Sequence, residues 1–395
     1  YINILLLFLY FYSINVISNQ LREKYMKKLY KYLVIIMVAL PIAGFAGGLM
    51  TSEKAQAATK SAKKGSSAVF YGRLYVQYDN SDNSTSNNNK ISGLRDDEGM
   101  GRFGVKGKNS IGNGYAVNYK VEYAIDISDG HATSDSTNCT NKQDCRPFAL
   151  KQGWLGFLTP FGQFKFGSME SPYKYLAKHD ILHDTISQAR DTRMISQGSM
   201  SHSSYWRESM LYELKSGNLR FAAIYGVGEN SNNTVTNKDS GFGIEYKNFL
   251  MPGFSIVYAR NKDHSVTGAN NQNYNEKFTL TKDFKLASGN KIKIWYMHED
   301  VGLDSKLFTG SNSDGEVNWY GIRYKTGPME FQYSYGDSDA NEGPTYDRDG
   351  YNIGMYYKLS KTSRIYLAHS KSDAGSGDGA NLDIESTLIG LRHDF

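Results

Sequence analysis

Residues Tyr115–Ile125 read YAVNYKVEYAI, in which every odd position is Tyr, Val or Ile and the positions between are Ala, Asn, Lys and Glu. Successive side chains of a strand point to opposite faces, so this segment has one wholly apolar face and one polar, charged face. Residues 70–79 repeat the pattern: Phe70, Leu74, Val76 and Tyr78 share one face, and Tyr71, Arg73, Tyr75, Gln77 and Asp79 the other. No helical segment accompanies these strands to cover the apolar face, so the covering phase is read as lipid.

Period-two segments recur at 70–79, 101–108, 115–125, 148–158, 161–168, 205–214, 219–227, 241–247, 254–260, 278–284, 291–298, 317–325, 329–335, 351–358, 364–370 and 384–395, about sixteen strands in all. Their connections alternate between short turns and long polar loops at 80–97, 129–146, 169–204, 229–240, 261–273, 300–314, 337–345 and 371–381. Short turns at one rim and long loops at the other predict an all-β fold, a transmembrane antiparallel β-barrel with periplasmic turns and extracellular loops. The 30 tyrosines suit two interfacial girdles, since each ring joins an apolar body to a polar tip. After residue 57 no apolar run is long enough to span a bilayer as a helix, so a spanning structure must be a closed sheet.

Met26 opens MKKLYKYLVIIMVALPIAGFAGGLM, with Lys27, Lys28 and Lys31 ahead of an apolar run and Ala55, Gln56 and Ala57 as a small-x-small site. Residues 26–57 therefore read as a secretory signal peptide, leaving 58–395 as one barrel domain. Residues 1–25 are apolar and contain no Met; they read as translated upstream sequence, with an additional hydrophobic anchor as the alternative. Residues 1–57 hold Arg22, Lys24, Lys27, Lys28, Lys31 and Lys54 against Glu23 and Glu53. Without them the chain is close to neutral, which gives no argument for a nucleic-acid partner. Cys139 and Cys145 flank TNKQD in the second long loop, and in an oxidising periplasm a local disulfide is the favoured reading over a metal pair or reactive thiol.

FYGRLYVQYDN, GMGRFGVKGKNSIGNGYAVNYKVEYAI, FALKQGWLGFLTPFGQFKFGSMESPY and the terminal GLRHDF resemble the corresponding blocks of the Gram-negative general diffusion porins. The resemblance runs with gaps from about residue 69 to Phe395. It implies a 16-stranded barrel, usually a homotrimer, whose third loop, at about 169–204, folds into the lumen as a constriction. It also implies a C-terminal signal for the barrel assembly machinery: Phe395 ends the last strand with Gly390 ahead of it, and His393 stands where a bulky apolar residue is usual. The expected surroundings are outer-membrane lipid and lipopolysaccharide.

If Phe70, Leu74 and Val76 face lipid, Arg73 faces the pore; the same parity turns Arg102, Lys106, Lys108, Asn118, Lys120 and Glu122 inward. A Lys or Arg at the lipid midplane would cost about 2 to 4 kcal/mol, which keeps such residues on the wet side. The resemblance carries a cationic wall onto Arg73, Arg102 and Lys151, with Glu170, Asp180, Asp184 and Asp191 of the third loop as the opposing acids. That loop also holds Lys174, Lys178, Arg190, Arg193, His179, His183 and His202, which leaves the sign of selectivity open.

Asp347, Asp349 and Gly350 form only a fragment of a calcium loop, and no motif assembles a nucleophile, a base or a cofactor cradle. The reading is a non-enzymatic, cofactor-free porin passing small hydrophilic solutes and ions by diffusion. The alternatives are a solute-specific porin, or a barrel used as an adhesin or hydrolase.

Overall fold

The structure is a computed structural model that describes residues 67–83, 90–95, 101–125, 127–128, 148–227, 237–264, 273–302, 314–341, 347–374 and 383–395. The leader 26–57, the preceding 1–25 and the pair Cys139 and Cys145 lie outside the described residues.

The strands are β1 (Ser67–Asn83), β2 (Lys90–Arg95), β3 (Gly101–Gly112), β4 (Tyr115–Ile125), β5 (Phe148–Thr159), β6 (Gly162–Glu170), β7 (Tyr205–Ser216), β8 (Leu219–Val227), β9 (Asn237–Lys247) and β10 (Phe254–Lys262). They continue as β11 (Tyr274–Lys285), β12 (Lys291–Val301), β13 (Gly315–Thr326), β14 (Met329–Ala340), β15 (Arg348–Lys358), β16 (Ser363–Ala374) and β17 (Ile384–Asp394). A single helical turn, α1 (Pro172–Tyr175), follows β6. Every pairing is antiparallel between neighbours, and β17 returns to β1 with Arg73 opposite Asp394 and Asn83 opposite Ile384.

Although the labels run to seventeen, the wall is sixteen strands. The upper part of β1 pairs with β2, from Gln77 opposite Arg95 to Asp82 opposite Lys90, and its lower part pairs with β3, from Ser67 opposite Lys108 to Arg73 opposite Arg102. β2 and β3 are thus two pieces of one strand. The expected loop over 80–97 is correspondingly shorter, because β1 runs on to Asn83 and β2 begins at Lys90. Other loops shorten in the same way: β10 ends at Lys262 and β11 begins at Tyr274, where alternation gives way to polar residues that still pair through their backbones.

Closure leaves no unpaired edge, which a lipid-facing sheet requires because hydrocarbon satisfies no N–H or C=O. The seam is completed by the chain end: Gly72 N donates to Phe395 O at 2.9 Å and Phe395 N to Gly72 O at 3.0 Å. The Phe395 ring lies across Gly72, where a Cβ would come within 2.2 Å of the ring, and 5.8 Å from the Phe70 ring.

The two faces separate as alternation requires. Phe70, Leu155, Phe166, Ile322, Ile353 and Ile389 are exposed on the outside, whereas Gln77, Asp79, Gln332, Ser334, Asn352 and Ser370 are buried inside. Near the loop-side ends of the outer face stand tyrosines with polar partners, such as Tyr258 donating to Glu276 at 2.6 Å and Tyr296 donating to Asn318 at 2.9 Å. This is the chemistry of a membrane interface, wet at one end of the ring and apolar at the other.

Candidate functional site

The third loop, residues 171–204, turns inward and crosses the lumen. Ser171 caps α1, its Oγ accepting from Lys174 N at 3.4 Å and from Asn261 Nδ2 of β10 at 3.2 Å. The outgoing limb leans on the far wall: Lys277 Nζ of β11 donates to Leu176 O at 2.9 Å, and Gln332 of β14 donates to Asp180 at 2.7 Å while accepting from Ile181 N at 2.9 Å. Leu182 then packs among Tyr75, Tyr356, Tyr366, Ala368 and Leu388. The returning limb places Ala189, Met194 and Ile195 against Trp295, Met297 and Trp319.

Glu299 of β12 anchors this limb. It is fully buried and accepts from Tyr173 Oη at 2.6 Å, Ser196 N at 2.9 Å and Ser196 Oγ at 2.9 Å, with His202 Nε2 2.8 Å away. A buried carboxylate so surrounded is satisfied, and removing one partner leaves the others facing an uncompensated charge. Sequence reading missed Glu299, Gln332 and Lys277, although period-two parity places all three inward. What it lacks is the loop's path across the barrel.

At the loop's tip Asp184 touches the near wall. Arg73 and Arg102, directly opposite one another on β1 and β3, both bond its Oδ2, Arg102 at 2.6 Å. Burial alone would raise the Asp184 carboxyl, but Arg102, His183 and Arg73 hold it well below the ordinary carboxylate range. Asp184 also has φ 75°, a left-handed conformation that Asp tolerates better than bulkier residues.

The four acids do not stand as a row across a gap from the basic wall, and Glu170 is the last residue of β6, paired with Tyr205, and not part of the loop. Asp184 is bonded to that wall. Glu170 is held by Lys178 at 2.9 Å, with Lys174 at 3.8 Å. Asp180 faces β14, where burial pushes its carboxyl up despite the bonds from Ala189 N, Gln332 and Leu182 N. Asp191 takes Gln197 Nε2 at 2.9 Å and Arg190 Nε at 3.5 Å. Bases of the loop itself take up Glu170 and Asp191, while wall residues hold Asp184 and Asp180.

Because the loop rests on β9–β17 and touches β1 and β3 at its tip, the open passage runs along β3–β8. Lys106 lies 4.7 Å from the Tyr71 ring centroid, and Tyr71 donates to Glu122 at 2.8 Å. Lys120 is 3.0 Å from Glu122. Lys151 owes its place to a β-bulge: Glu122 pairs with Gln152 and Tyr123 with Leu150, so Lys151 is the extra residue between them. Its Nζ is 5.9 Å from the Tyr205 ring centroid. Lower in the passage Lys165 and Arg220 converge on Glu213 at 3.3 and 2.6 Å. Here too parity places Lys165, Glu213 and Arg220 inward.

A family model described as Gram-negative porin matches residues 43–376. No curated protein matches the chain. Among solved structures, an anion-selective porin from Comamonas acidovorans is similar over 84% of this chain and 100% of its own, with a TM-score of 0.60 and 14% identity. Salmonella typhi OmpF in complex with daunomycin gives 0.59 at 12% identity over 84% and 99%. The trimer form of OmpT, an outer membrane protein of Vibrio cholerae, gives 0.58 at 16% identity over 84% and 100%. Such distant likeness speaks for the fold, which is the same closed barrel. With the family match covering most of the chain, the protein belongs to the Gram-negative porins, outer-membrane barrels that form water-filled channels for passive diffusion.

Proposed function

We propose that this porin favours small hydrophilic anions over cations and passes them without chemical turnover. One observation carries the reading: bases outnumber acids along the passage. Arg102, Lys106, Lys120, Lys151, Lys165 and Arg220 border it on the wall and Lys178 and Arg190 on the loop, against Glu122, Glu170, Asp184, Asp191 and Glu213. Charged rings in a narrow, low-dielectric pore sort ions by sign, and an excess of bases concentrates anions.

The same reading takes the protein as a homotrimer, exported by a leader at 26–57 and assembled through its terminal Phe395 into a bilayer of lipid and lipopolysaccharide. The apolar outer face of β1, β3 and β5, with Phe70, Phe103 and Phe148, supports a subunit contact there. The test is the reversal potential of the protein purified from outer membranes, measured in a planar bilayer across a KCl gradient. An anion-selective sign is expected, and a cation-selective sign rejects the reading.

A further inference from the structure

On the turn side of the loop the passage widens into a recess of about 260 Å³, lined by Lys120, Gln152, Trp154, Lys165, Met169, Glu170, Tyr175, Leu211 and Arg220. Its chemistry is unusual for a wall that need only be wet. Trp154 and Tyr175 belong to the margin of an apolar cluster built from Met169, Met200, Trp206, Leu211 and Ile224. An apolar margin left beside a water-filled channel is a surface on which a ring can pack.

Cations sit against both rings. Lys165 Nζ is 5.0 Å from the Trp154 centroid and Arg220 Cζ is 4.5 Å from the Tyr175 centroid. Glu213, itself 5% exposed and outside the lining, holds Lys165 at 3.3 Å and Arg220 Nε at 2.6 Å. It fixes both heads from behind, so the guanidinium presents its terminal N–H groups while the Nε is engaged. A carboxylate takes two parallel bonds from such a fork.

We propose that this recess binds small aromatic carboxylates, the acid group on Arg220 and Lys165 and the ring against Trp154, Tyr175, Met169 and Leu211. The volume is just below the range of about 300 to 1,000 Å³ for drug-sized ligands, which suits a single-ring acid. Charge alone would hold any anion. The ring contacts add the discrimination, because apolar area removed from water contributes about 25 cal/mol per Å². The inference rests on the anion-preferring reading and deepens it from a charge filter to a solute site.

The test is calorimetric titration of the detergent-solubilised protein with sodium benzoate, against acetate (charge without ring), benzyl alcohol (ring without charge) and a micelle blank. Benzoate is expected to saturate and to bind about tenfold tighter than benzyl alcohol, the factor that one charged contact of ordinary strength supplies, and about tenfold tighter than acetate, the factor that burying about 55 Å² of ring supplies. Arg220→Gln should weaken benzoate by about the same factor. Trp154→Leu should lower the preference for benzoate over acetate, which covers the case in which Arg220→Gln does not assemble. Benzoate that fails to saturate, or binds no better than acetate, overturns the site. Saturable benzoate binding supports it whatever the sign of the reversal potential, so the failure of the site and the failure of the selectivity reading are separate results.

Discussion

Leu182 is seated directly over Gly354: a Cβ built on Gly354 would lie 2.4 Å from Leu182 Cδ2. The same relation recurs where Leu176 lies over Gly243, at 2.5 Å, and Met194 over Gly336, at 2.8 Å from its Cβ. Three wall strands therefore each leave out a side chain where the loop puts an apolar one. The loop is packed against the barrel as a core is packed.

Gly354→Val should accordingly undock the loop at Leu182 and leave the barrel intact. Overpacking of this kind costs about 1 to 3 kcal/mol, comparable to the docking bonds it strains. Single-channel recording should show a larger and noisier conductance than wild type. An unchanged conductance, with the barrel folded by circular dichroism, would contradict the docking.

Asp184→Asn removes the carboxylate shared by Arg73 and Arg102. The passage gains net positive charge, and the reversal potential should move further in the anion-selective direction. Arg102→Ala and Lys151→Ala should move it the opposite way. Unaltered potentials in all three would place these residues outside the conducting path.

Acid should loosen the returning limb through His202. Burial and the nearby Lys277 lower this imidazole to about 4, and the Glu299 carboxylate opposes them without prevailing. The unfolded value is about 6.5, so the docked loop favours the neutral ring. The stabilisation is complete above pH 6.5 and is lost as pH falls from there towards 4, up to about 3 kcal/mol by linkage. The groups facing His202 are Lys277 of β11, Glu299 of β12, and Tyr173 and Arg190 of the loop. Channel noise should rise across that interval in the wild type and stay level in His202→Gln.

Gly72→Leu should impair closure, since any side chain there meets the Phe395 ring at the seam. Heat-modifiable mobility on gels reports the folded fraction, which should fall. Phe395→Ala in the same background, with both variants refolded in detergent where no assembly machinery reads the chain end, relieves the clash, and recovery of the folded fraction would show that contact, and not strand pairing, was at fault.

The barrel was legible in the sequence because its cause is local. Each strand carries its own alternation, and all sixteen segments read from it correspond to strands of the wall. Strand ends were not legible, because rim residues such as Asn80 and Asp82 pair through backbone groups that carry no side-chain signal. The acids of the third loop were recognised as residues while their partners were not. Asp180 to Gln332 spans 152 positions of sequence, and nothing local encodes which wall residue a crossing loop will meet.

The bulge in β5 separates two things that strand geometry normally ties together. Leu150 and Gln152 keep their proper faces on either side of Lys151, so excising that one residue would restore the regular pleat without turning any greasy side chain inward. Chain length at this position thus sets the number of positive groups at the throat. A lineage could retune its permeability there by a three-nucleotide insertion or deletion while the bilayer-facing surface stayed as it was.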